Sequence, residues 1–119
     1  MSIEALRQLE GLDVDQGLVN CMDDEGLFLS VVGMYIDQIK EYLSPLSEHF
    51  QTENFEEYGK LAHSIKGASA SVGAHIVQAQ SLELEQAARV QDFAPIKAQH
   101  TSYFNLLEQT VTELEQAIS

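Results

Sequence analysis

Over most of its length the chain returns an apolar residue every three or four positions, and no segment alternates convincingly at period two. A helix buries such a stripe on one face, whereas a strand cannot. Between Glu25 and Thr52 the stripe is Phe28, Val31, Val32, Tyr35, Ile39, Tyr42, Leu43, Leu46 and Phe50. Tyr58, Leu61, Ala62, Ile65, Ala68, Ser69 and Val72 form the next, and Val77, Ser81, Leu84 and Ala88 a third between Ala74 and Gln91. Ile96, His100, Tyr103, Leu107, Thr110, Leu114 and Ile118 complete the last. Many Leu, Ala, Glu and Gln residues and only two prolines favour helix throughout.

The ends of these segments carry punctuation. Ile3, Leu6 and Leu9 predict a short first helix from Ser2 as N-cap to Glu10, stopped by Gly11. Leu12 to Asp23, with Gly17 and several Asp and Asn residues, reads as a loop or broken turn leading to Asp23 or Asp24 as the next cap. Asp13, Asp15 and Asp23 lack the spacing of a calcium loop. Ser44-Pro45 predicts a restart or kink in the long element, with Gly33 a second weak point. Asn54 followed by Glu57 resembles a capping box, Gly73 is placed as a left-handed stop, and Asp92 and Pro95 mark the last connection. The expected fold is all-α, an antiparallel four-helix bundle with an additional short N-terminal helix, in a single domain over residues 1–119.

Lys and Arg number 6 against 19 Asp and Glu, a formal charge of −13, which repels nucleic acid and anionic membranes alike. No apolar run approaches the roughly 20 residues of a membrane span, and the N-terminus lacks a basic stretch followed by an apolar core. The lone Cys21 has no second thiol for a disulfide, metal or redox pair and reads as a small apolar residue. These features predict a cytoplasmic protein that binds neither membrane nor nucleic acid.

The stretch AHSIKGASASVGA, Ala62 to Ala74, carries the chemistry. On a helix His63 faces outward with Gly59 one turn before it and Gly67 one turn after, each costing about 1 kcal/mol relative to alanine. Bare positions on both sides expose the imidazole and admit a bulky group or another protein. Lys60, Lys66 and Arg89, three of the six cations, surround this histidine, so an anion is expected there, phosphate above all.

The same run resembles the signature of histidine phosphotransfer (HPt) domains, in which Ala-His is followed by Lys-Gly, a small-residue stretch and Gly-Ala. Leu84-Glu85 and the small-residue run ending at Arg89 resemble the family's next helix, and the likeness spans nearly the whole chain. It implies a phosphocarrier of a two-component His-Asp phosphorelay, not an enzyme with its own ATP-dependent kinase activity. His63 would accept the phosphoryl group through Nε2, Lys66 would neutralise its oxygens and Gly67 would give it clearance. Glu85, where family members often carry glutamine or another polar residue, would orient the imidazole, and Arg89 would assist near the phosphate. The implied partners are response-regulator receiver domains and a hybrid sensor histidine kinase. No cofactor or metal of its own is expected, because Mg²⁺ would come with the receiver, and the protein is expected to be a monomer.

Leu82, with Leu6 or Leu9, offers a docking patch, although bundle core is the commoner role for any one of them. His75 is expected at the solvent-facing start of the following helix, and His49 and His100 lack the flanking lysine and glycine. A metal-binding bundle would need Glu-x-x-His pairs, and no histidine here has a glutamate three residues before it. The alternative that survives is a bundle that binds a receiver or kinase without carrying phosphate.

Overall fold

The computed structural model describes residues 3–119, which form six helices and no strand. They are α1 (Ile3–Arg7), α2 (Val14–Asn20), α3 (Glu25–Gln51), α4 (Phe55–Val72), α5 (His75–Arg89) and α6 (Ala94–Ile118). The all-α expectation holds; the expected cap Ser2 lies outside the described residues. Helices α3 to α6 close a ring in which α3 packs on α4, α4 on α5, α5 on α6 and α6 on α3. Short connections make sequence neighbours antiparallel. With its 27 residues at about 1.5 Å per residue, α3 spans the 40 Å long axis.

Two expectations need correction. Leu12 to Asp23 is not a loop, because α2 occupies its centre: the Asp13 side chain accepts from the Gln16 N–H at 3.1 Å, and Val14 and Leu18 are buried one turn apart. Gly17, which suggested a break, is small for a packing reason. A Cβ there would lie 2.3 Å from the Phe28 ring and 2.8 Å from the Val72 carbonyl oxygen. The long element also does not restart at Pro45, since α3 is one helix from Glu25 to Gln51. Proline leaves the Glu41 carbonyl without its intrahelical donor. Glu41 is exposed, so water can take that bond, and the stripe stays in register with Leu46 fully buried.

The caps follow the sequence. Asp24 accepts from the Leu27 N–H at 3.0 Å, Asn54 from the Glu57 N–H at 3.5 Å, and Gly73 is left-handed at φ +81°. That glycine also joins two parts of the fold. The Asp13 N–H donates to the Gly73 carbonyl at 2.7 Å, and a Cβ on residue 73 would meet the Asp13 carbonyl oxygen at 2.2 Å. The start of α2 is thereby strapped to the α4–α5 turn.

Phe28, Ile39, Leu46, Ile65, Leu84, Ile96, Leu107 and Leu114 fill the core. Polar pairs cross it between helices: Tyr35 with Ser69 at 2.7 Å, Ser81 with Tyr103 at 2.7 Å and Tyr58 with His100 Nδ1 at 2.8 Å. Burial raises the Tyr35 hydroxyl to about 12, with the Ser69 hydrogen bond opposing it, so Tyr35 stays neutral. A sliding helix would leave these hydroxyls buried and unpaired, which costs about 1–3 kcal/mol for each such group.

His100, expected in the inward stripe, is buried and its ring stacks on Phe50 at 3.9 Å. Burial holds it below the ordinary value of 6.5. The unfolded chain therefore takes a proton first, and the stability tied to neutral His100 is present above 6.5 and lost as pH falls through its folded value. The urea midpoint is expected to fall between about pH 7.5 and about pH 5.5. His100→Gln should flatten that fall, and an unchanged slope would remove His100 as its source.

Candidate functional site

His63 stands in the middle of α4 with its side chain 63% exposed. Its Nδ1 lies 2.6 Å from Glu85 Oε2, on the antiparallel helix α5. The same carboxylate receives Lys66 Nζ on Oε1 at 2.6 Å and Arg89 Nη2 on Oε2 at 2.8 Å. Glu85 itself is only 5% exposed. The structure thus brings together His63, Lys66, Glu85 and Arg89, with the carboxylate as their common point.

Burial alone would push Glu85 up, but the hydrogen bonds and charges of Lys66 and His63 outweigh it and hold the carboxyl below its ordinary 4.5. Its contribution to stability is therefore full above 4.5 and is lost as pH falls through its lower folded value. Because the carboxylate carries no proton at neutral pH, the 2.6 Å contact requires Nδ1–H to be the donor. Neutral His63 then presents the Nε2 lone pair at the other side of the ring, toward solvent.

The two flanking glycines turn out to differ. Gly67 is exposed, with nothing within 4 Å of where a Cβ would sit, so clearance describes it. Gly59 is buried, and a Cβ there would lie 2.5 Å from the Ala88 Cβ. Its function is to let α4 and α5 approach one turn from the His63–Glu85 pair, which corrects the expectation that it exposes the histidine. The signal was present in the sequence: residues 59 and 88 are nearly equidistant from the Gly73 turn, as are 63 and 85.

The cationic surround is tighter than expected and smaller. Lys60 turns to Glu57 at 3.0 Å, leaving Lys66 and Arg89 on the shared carboxylate. Glu56, Gly59, Lys60, Ser64, Ala88 and Arg89 surround His63 and Glu85 in an open cleft between α4 and α5. Of the docking candidates, Leu82 is 40% exposed, Leu9 is half-buried against the core, and Leu6 is fully buried. Leu6 is thus a core residue, because α1 folds back on α6. His75 opens α5 exposed to solvent, with Nε2 3.1 Å from the Glu10 carbonyl. Among the described residues no group of three or more His, Cys, Asp and Glu side chains is arranged to hold a metal ion, and no helix is long and apolar enough to cross a membrane.

The glycine contrast is directly measurable. Gly67→Ala should raise unfolding stability by about 0.5–1 kcal/mol through helix propensity. Gly59→Ala should lower it by about 1–3 kcal/mol, because it overpacks the α4–α5 contact. Equal denaturation midpoints for the two variants would contradict this division.

A family model described as Hpt domain matches residues 30–117. No curated protein and no solved structure matches the chain.

Proposed function

Because the chain belongs to the Hpt domain family, whose members take part in His-Asp phosphorelays and interact with receiver domains, we propose that His63 is the residue that carries the phosphoryl group. On this reading His63 Nε2 attacks the phosphoryl group of a receiver's aspartyl phosphate and later yields it to the aspartate of another receiver. The donor receiver would belong to a hybrid sensor histidine kinase. The observation that carries the reading is the ring itself: Nδ1 is committed to buried Glu85 at 2.6 Å, so the exposed imidazole offers Nε2 as its nucleophile.

Each neighbour takes a part consistent with its position. Gly67 leaves open space one turn along α4, where a phosphoryl group and an approaching receiver need it. Lys66 sits one turn from His63 and is 26% exposed, so it can turn from Glu85 toward phosphoryl oxygens without crossing the core. Arg89, 68% exposed, is a second cation at the same carboxylate. Phosphoryl transfer also requires in-line placement and metal-assisted charge neutralisation. Here the partner would bring the aspartate and its Mg²⁺, and this chain supplies a positioned nucleophile on a rigid helix without nucleotide-binding machinery of its own.

Incubation with a phosphorylated receiver and Mg²⁺ should place acid-labile phosphate on His63, and His63→Gln should take up none. Label on that variant, or binding without label on the unaltered protein, would overturn the assignment. Lys66→Ala should remain helical by circular dichroism while transfer slows roughly tenfold or more, the scale of losing one charge-stabilising donor. An unchanged rate would remove Lys66 from the mechanism.

A further inference from the structure

Resting on the reading of His63 as phosphoryl acceptor, we infer that the Nδ1 proton stays with the His63–Glu85 pair through both halves of the transfer. The group is then taken on and given up without any proton entering or leaving the site.

Both oxygens of Glu85 are engaged: Oε2 with His63 Nδ1 and Arg89, Oε1 with Lys66. At 5% exposure the carboxylate exchanges little of this coordination for water. Several of the other charges on the surrounding helices pair among themselves. On α4, Lys60 faces Glu57 at 3.0 Å, with Glu56 beside it at the cleft mouth. On α6, Lys97 faces Glu53 at 3.6 Å, and Lys40 of α3 pairs with Glu115. The charge in hydrogen-bond contact with the ring proton is that of Glu85, which Lys66 and Arg89 share.

The bonds balance without a co-reactant. As the Nε2 lone pair forms the P–N bond, the P–O bond of the aspartyl phosphate breaks and its electron pair leaves with the carboxylate. The ring, substituted at Nε2 and protonated at Nδ1, is now cationic, and Glu85 lies against the proton that carries this charge. In the onward step the P–N pair returns to Nε2 and neutral imidazole is the leaving group. Had Nδ1 lost its proton in between, the leaving group would be an imidazolide anion, a far poorer one, and the phosphoryl group would be stranded. Lys66 and Arg89 favour the same outcome: a phosphoryl dianion draws them toward itself, leaving more of the Glu85 charge to the Nδ1 proton. Glu85 is thus a positioning residue that holds the carrier in its transferable form.

The test loads the whole 119-residue chain with phosphoramidate, a chemical phosphodonor, and follows phosphate loss to water and to a Mg²⁺-bound receiver between about pH 6 and about pH 8. For the unaltered protein both rates should change less than about threefold over that range, as expected for a ring whose proton is held by an adjacent opposite charge. In Glu85→Gln, which keeps the shape and loses the charge, both should fall about tenfold toward the alkaline end. Parallel profiles would overturn the inference while leaving His63 as the acceptor. Failure of the unaltered protein to carry label on His63 would overturn the reading beneath it as well. Should the variant misfold, ¹⁵N spectra of the phosphorylated unaltered protein decide alone: Nδ1 should give the signal of a protonated ring nitrogen at about pH 8, and a bare-nitrogen signal there refutes the proposal.

Discussion

A carboxylate taken out of water must be repaid by donors, and Glu85 collects three of them on its two oxygens. The rest of the site depends on that arrangement. The carboxylate fixes the tautomer and direction of the His63 ring, restrains Lys66 and Arg89, and remains ionised because the donors outweigh burial. Its reach to α4 depends on a backbone contact one turn away, where Gly59 admits Ala88. Helix spacing, set by a missing methyl group, thus determines whether imidazole and carboxylate meet.

Much of this is legible in the sequence itself. The helical stripes, the Asn54 and Asp24 caps and the Gly73 stop each depend on a few adjacent residues, and local physics suffices to read them. What escaped depends on partners distant in sequence. Gly17 looked like a breaker and Gly59 like an exposed gap, yet both are sites where another helix comes close. Pro45 suggested a restart, but α3 runs through it with Leu46 buried just beyond. Leu6, open between docking patch and core, is made core by the return of α1 onto α6. At the candidate site the sequence indicated His63, Lys66, Gly67, Glu85 and Arg89, but not that one carboxylate serves three of the others.

Rigid and open parts are divided between different faces of the bundle. Paired hydroxyls in the core hold the helices in register, and with them the face bearing His63. Beside that histidine the surface is bare at Gly67 and charged at Lys66. Stability and accessibility are thereby assigned to different faces of the same helix.

The strap between Asp13 and Gly73 gives the N-terminal helices a different standing from their length. Gly17 seats α2 against Phe28 and the end of α4, while the family match begins at residue 30, beyond both short helices and the Phe28 that α2 covers. A fragment trimmed to the matched region would lose that cover and leave Val72 open at the end of the hairpin that carries the site. The stretch that the family match covers and the stretch that packs together as one body are therefore different lengths of this polypeptide.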